Sequence, residues 1–75
     1  MFLEEVLAKL TNGETVYILN EYEEAVFKFV PTGGHVEAYI RRHRCREQQI
    51  SWTSNVAFEA KLEGEFITSE EYKKY

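Results

Sequence analysis

Apolar residues recur at Leu3, Val6, Leu7 and Leu10, the spacing that lines one face of a helix and so predicts a helix over residues 3–10. Glu4 and Glu5 fall in its first turn, where the helix dipole favours negative charge, and Asn12-Gly13 supplies a left-handed stop. The pattern then changes. Residues 14–20 are rich in β-branched and aromatic types and predict a strand. Residues 22–30 predict a second, with Ala25, Phe27 and Phe29 on one face and Val26, Lys28 and Val30 on the other. Asn20-Glu21 reads as the tight connection between these two strands. Pro31-Thr32-Gly33-Gly34 is a strong turn sequence, since proline presets one dihedral angle and glycine tolerates positive φ. A third strand over about 35–42 places Val36, Ala38 and Ile40 on one face and His35, Glu37, Tyr39 and Arg41 on the other.

The remainder is less periodic. Residues 41–49 are polar, and Ile50-Ser51-Trp52 suggests one short strand. Residues 56–63 carry two patterns at once. Val56, Phe58, Ala60 and Leu62 alternate as in a strand, whereas the Ala, Glu, Lys and Leu content favours a helix capped by Ser54 or Asn55 and ended by Gly64. Thr68 and Glu71 form a capping-box signature that starts a final short helix. The fold class expected is therefore α+β in one domain, residues 1–75. An N-terminal helix packs on an antiparallel sheet of three to four strands, and a short helical segment follows. In this reading Leu3, Val6, Leu7 and Leu10 lie against Val16, Ile18, Val36 and Ile40. The opposite sheet face carries Tyr17, Phe27, Phe29 and Tyr39, a partner surface if left uncovered.

Size and composition narrow the function. A chain of 75 residues buries about 60–65% of its unfolded surface and is only marginally stable. The single cysteine, Cys45, excludes an intrachain disulfide, and with His35 and His43 it does not make a four-ligand zinc set. No metal or other cofactor is expected, and self-association remains as a way to complete the core. The first ten residues lack the basic start and apolar run of a signal peptide, and no stretch is long enough to span a membrane. A soluble protein of a reducing cytosol is expected, with no membrane partner. Net charge is −4, with 13 acids that are all glutamate, yet the four arginines all fall between Arg41 and Arg46. So acidic a chain is a poor general binder of nucleic acid, and direct nucleic-acid binding is not expected.

Catalytic constellations are weak. Cys45 lies two residues from His43 and between Arg44 and Arg46, which would favour a thiolate, but no acid stands ready to orient the histidine. The pairs Glu4-Glu5, Glu23-Glu24 and Glu70-Glu71 suit solvated faces and helix starts better than a converging acid pair. A non-enzymatic protein is expected. Two binding features stand out instead. Arg41, Arg42, Arg44 and Arg46, flanked by Tyr39 and Trp52, suit capture of a phosphate or carboxylate with stacking support, set against simple pairing with the chain's own glutamates. Glu21, Glu23 and Glu24 form an acidic face suited to a basic partner. The tyrosines and the tryptophan exceed what the core requires and are of the types that dominate interface energetics.

The opening helix, glycine and strand of residues 3–16, with Ile50-Ser51-Trp52-Thr53-Ser54 loosely similar further on, resemble the small phage proteins of the Thoeris anti-defence family. That resemblance implies an oligomeric sponge holding an anionic, nucleotide-like signal between subunits. The basic, tryptophan-containing segment usual after the first strand is replaced here by residues 17–22. Residues 62–72 are similar to the helix-glycine-helix ending of many short phage and bacterial proteins, and anti-CRISPR proteins share the small size and acidity. The function expected is a phage or mobile-element accessory protein that binds and inhibits a host protein or ribonucleoprotein machine, such as a CRISPR effector. The alternatives are the sponge, using Arg41, Arg42, Arg44 and Trp52, or a small structural or regulatory subunit; a homodimer fits any of these.

Overall fold

Gly13 ends the first helix as its sequence suggests. Its φ is +83°, and the amides of Gly13 and Glu14 reach back to the carbonyls of Leu10 and Lys9, the crossed pair of bonds that closes a helix on a left-handed residue. The computed structural model describes residues 2–75. Helix α1 (Phe2–Thr11) is followed by β1 (Val16–Asn20), β2 (Ala25–Thr32), β3 (His35–Arg42) and β4 (Gln48–Ile50), then α2 (Asn55–Glu63), β5 (Glu65–Phe66) and α3 (Ser69–Lys74). All five strands join one antiparallel sheet in the order β4-β3-β2-β1-β5. The α+β class holds, and the meander of β1 to β4 gains a fifth strand at its far edge.

That fifth strand exists because Gly64 lets the chain come close. A Cβ at this position would lie 2.3 Å from Ile18 Cγ2, 2.6 Å from the Ala60 carbonyl and 3.0 Å from the Leu19 carbonyl. Only hydrogen fits, so α2 runs directly into the edge of β1. Two residues, Glu65 and Phe66, then pair with Leu19 and Ile18. So short a strand carries no alternation to read.

The β2–β3 hairpin is tighter than expected. Pro31 and Thr32 remain in β2, opposite Val36 and His35, and Gly33-Gly34 alone make the turn, both with positive φ. Between β1 and β2 the reverse holds, because residues 21–24 form the loop in place of a tight turn at Asn20-Glu21. The Asn20 Oδ1 accepts the Tyr22 amide at 3.1 Å, and Glu24 adopts φ +51°. This longer loop sets the register Val16↔Phe29, Ile18↔Phe27 and Asn20↔Ala25. Phe27 and Phe29 thus share the face of Val16, Ile18, Ala38 and Ile40 and do not join Tyr17 and Tyr39 on the opposite one. Helices α1 and α2 close this face, contributing Val6, Leu10, Ala57 and Ala60 to the core.

Helix α1 is also turned relative to expectation. Val6 and Leu10 are buried and Phe2 lies against Phe66, ring centroids 4.6 Å apart, whereas Leu3 is half-buried and Leu7 is 45% exposed. Residues 56–63 are helical. Ser54 caps them by accepting the Ala57 amide, and the small Ala57 and Ala60 face the core while Phe58 and Leu62 stay largely exposed. Lys61 is buried, its Nζ 3.6 Å from the Trp52 ring centroid and donating to the Trp52 carbonyl at 3.1 Å. That burial depresses the pKa of the ammonium. The capping box at α3 forms as expected: Thr68 Oγ1 accepts from the Glu71 amide and Glu71 Oε1 accepts from the Thr68 amide. No helix among the described residues is long and apolar enough to cross a membrane.

Candidate functional site

Alternation along β1, β2 and β3 sends Tyr17, Lys28, Tyr39 and Arg41 to the sheet face opposite the main core. α3 lies across this face and buries Tyr72 there. The Tyr17 and Tyr72 rings meet at 5.4 Å, and Lys28 Nζ sits 4.7 Å from the Tyr39 ring centroid. The Tyr72 hydroxyl donates to Glu47 Oε2 at 2.5 Å, and Lys28 Nζ approaches the same oxygen at 3.0 Å. Arg41 donates to the carbonyls of Tyr72 and Lys73 at 3.0 and 2.9 Å, placing a cation at the carbonyl end of α3.

These contacts tune the acid and the phenol in opposite directions. Burial alone would raise the Glu47 pKa, but the hydrogen bond from Tyr72 and the contact with Lys28 outweigh it and hold the carboxyl below its usual range. Burial first, and then Glu47, push the Tyr72 phenol well above its ordinary value.

The β3–β4 loop, residues 43–47, completes the site. The Cys45 amide bonds to the Arg42 carbonyl, Arg44 takes φ +59°, and the Arg44 amide bonds to the Tyr75 carbonyl at 3.1 Å. The His43 ring stands edge-on to Tyr75 at 5.6 Å. A cleft of about 510 Å³ opens between this loop and α3, bounded by Arg44, Cys45 and Arg46 on one side and Lys73 on the other, with Tyr17 and Lys28 between.

The four arginines therefore part company. Arg41 caps α3. Arg42 donates to the Glu23 carbonyl at 2.9 Å and stands 3.8 Å from the Glu23 carboxylate. Arg44 and Arg46 are exposed at the cleft and form no ion pair among the described residues. Tyr39 shares the sheet face but packs on Lys28. Trp52 lies on the other side of the sheet, edge-on to Phe29 at 5.0 Å, so it is not a stacking partner for the arginines within one chain. Of the residues that do complete the cleft, Lys28, Glu47 and Lys73 were not singled out from sequence, whereas Tyr17 and Tyr72 stood out only as aromatic residues beyond the needs of the core. Tyr17 and Lys28 become readable once the register is known, whereas Tyr72 and Lys73 depend on where α3 docks.

The acidic face forms a projecting loop beside the arginines. Glu23 is held by Arg42, while Glu21 and Glu24 are exposed and unpaired among the described residues. Tyr22 stands 86% exposed at the tip. Glu63 and Glu65 join Glu21 and Tyr22 around a cleft of about 300 Å³ where β5 meets β1. Among the described residues no three His, Cys or Glu side chains gather as a metal-binding group. The chain matches no family model, no curated protein and no solved structure.

Proposed function

We propose that this chain is a non-enzymatic accessory protein that binds a basic surface of a larger protein or ribonucleoprotein machine and blocks it by occupancy. The observation that supports this most directly is Tyr22, 86% exposed at the tip of a loop otherwise made of glutamates. A solvated tyrosine on an ordered loop gives up a large apolar ring to water, and tyrosine is among the residues that carry interface energy. Glu21, Glu63 and Glu65 line a cleft with it and Glu24 shares its loop, and no cation of the chain pairs with these four carboxylates among the described residues. Such a rim suits steering towards lysine- and arginine-rich grooves that otherwise hold nucleic acid. An inhibitor of the kind that phages and mobile elements direct at CRISPR effectors fits this chemistry. The test is to measure, with purified candidate complexes, whether the protein displaces nucleic acid stoichiometrically. Glu21→Lys with Glu24→Lys should then abolish displacement without altering the melting temperature; unchanged displacement by that variant would remove the loop from the mechanism.

A further inference from the structure

The cleft between the β3–β4 loop and α3 is separate from the acidic loop and has its own chemistry. We infer that it binds the phosphate or pyrophosphate group of a small phosphorylated molecule. Five cations line it against one carboxylate, in a chain whose net charge is −4. The internal needs of the fold explain only part of that excess. Glu47 is satisfied by Lys28 and by the Tyr72 hydroxyl, and Arg41 is occupied by the carbonyls of α3. Arg44, Arg46 and Lys73 have no carboxylate to answer among the described residues. Had the arginines served mainly to pair with the chain's glutamates, the arrangement seen for Arg42 and Glu23 would recur, and among the described residues it does not.

The polarity of the cleft selects the ligand. Guanidinium and ammonium groups offer only donors, and the one carboxylate is already engaged. A nucleobase or sugar needs donors and acceptors together, whereas a phosphate presents only acceptors and matches the planar fork of arginine. The loop is also held in place: Arg44 keeps a left-handed backbone that a non-glycine residue rarely adopts, and its amide is tied to the end of α3. A volume of about 510 Å³, open on one side, admits a small ligand whose remainder stays in solvent. The acidic loop next to Arg42 disfavours an extended polyanion, so a compact ligand fits better than a nucleic-acid strand.

The experiment is a titration of the isotopically labelled full chain with inorganic pyrophosphate at low ionic strength, followed by NMR and calorimetry. The amides of residues 44–47 and of Tyr72 and Lys73 should shift together and saturate. Replacing both Arg44 and Arg46 with alanine should weaken binding at least about tenfold, since two charge-assisted contacts are lost. Arg42→Ala, at the guanidinium already engaged by Glu23, should leave affinity within about twofold. Glu21→Lys with Glu24→Lys should retain binding, so failure here is distinct from failure of the inhibitor reading. Absence of saturable shifts at millimolar pyrophosphate, or equal losses from Arg42→Ala and from the double variant, would overturn the site. Tighter binding of a short DNA duplex than of pyrophosphate would overturn the compact-ligand assignment.

Discussion

The two faces of the sheet are closed by opposite chemistry. On one, Phe27, Phe29, Ile18 and Val16 meet Val6 and Leu10 of α1 and the alanines of α2, and the contact is almost wholly apolar. On the other, a helix of six residues, started by its own capping box, is fastened over Tyr17 and Lys28 by a phenol–carboxylate bond and two arginine–carbonyl bonds. The first face draws stability from area removed from water, which is insensitive to charge. The second draws position from directional bonds, each worth about 0.5–3 kcal/mol net and sensitive to pH and ligands. It follows that the candidate anion cleft belongs to the face that can respond to solution conditions.

The sharpest way to break this contrast is to empty the apolar face. Phe29→Ala removes a ring packed against both Phe27 and Trp52 and should cost about 3–5 kcal/mol. That is comparable to the whole stability of so small a domain, so urea titration should find the variant largely unfolded; a loss below about 1 kcal/mol would contradict the core described. Gly64→Ala comes next. Its methyl would collide with Ile18 and with two carbonyls, and a loss of about 2–3 kcal/mol by the same titration is expected.

On the polar face, Tyr72→Phe should cost about 1–2 kcal/mol by leaving the Glu47 carboxylate short of a donor. The pH dependence separates the partners. Glu47 is depressed in the folded state, so its contribution is present above its ordinary value of 4.5 and is lost as pH falls through the lower folded value. Tyr72 is raised, so its contribution is present below its ordinary value of 10.0 and is lost as pH climbs towards the folded value. Urea midpoints measured across pH should therefore decline at both ends, with Tyr72→Phe flattening the alkaline decline. The smallest effects belong to the surface: Leu7→Ser should stay within about 0.5 kcal/mol, and Arg42→Ala within about 1 kcal/mol. A larger loss at Leu7 would mean that α1 is rotated from the orientation described.

Local signals in the sequence were reliable where one residue type decides the geometry. Gly13 and the Thr68–Glu71 capping box are read from a few neighbours and form as expected, and the turn expected over residues 31–34 does form, narrowed to its two glycines. Residues 56–63 yield to helix because the buried pair, Ala57 and Ala60, is three residues apart, while the alternating Phe58 and Leu62 are exposed. Parity across strands was not readable in the same way. Whether Phe27 and Phe29 face the core depends on the length of the 21–24 loop, which is set by the Asn20 side chain and the positive φ of Glu24. The arginine cluster was visible as composition, but its division was not. Arg41, Arg42 and the pair Arg44 and Arg46 receive different tasks only once α3 docks and the β1–β2 loop comes alongside. Trp52 leaves the site for the same reason, because the segment after β4 crosses to the apolar face.

Photocrosslinking from position 22 is the most direct measurement of the function proposed. A photoreactive phenylalanine analogue in place of Tyr22, and separately in place of Leu7, would be incubated with a purified candidate nucleic-acid-processing complex. Crosslinks from position 22 to lysine- and arginine-rich peptides of that complex, lost when nucleic acid is bound first and absent from position 7, are the predicted result. Crosslinks that arise equally from position 7, or that persist unchanged in the presence of nucleic acid, would contradict binding through the acidic loop.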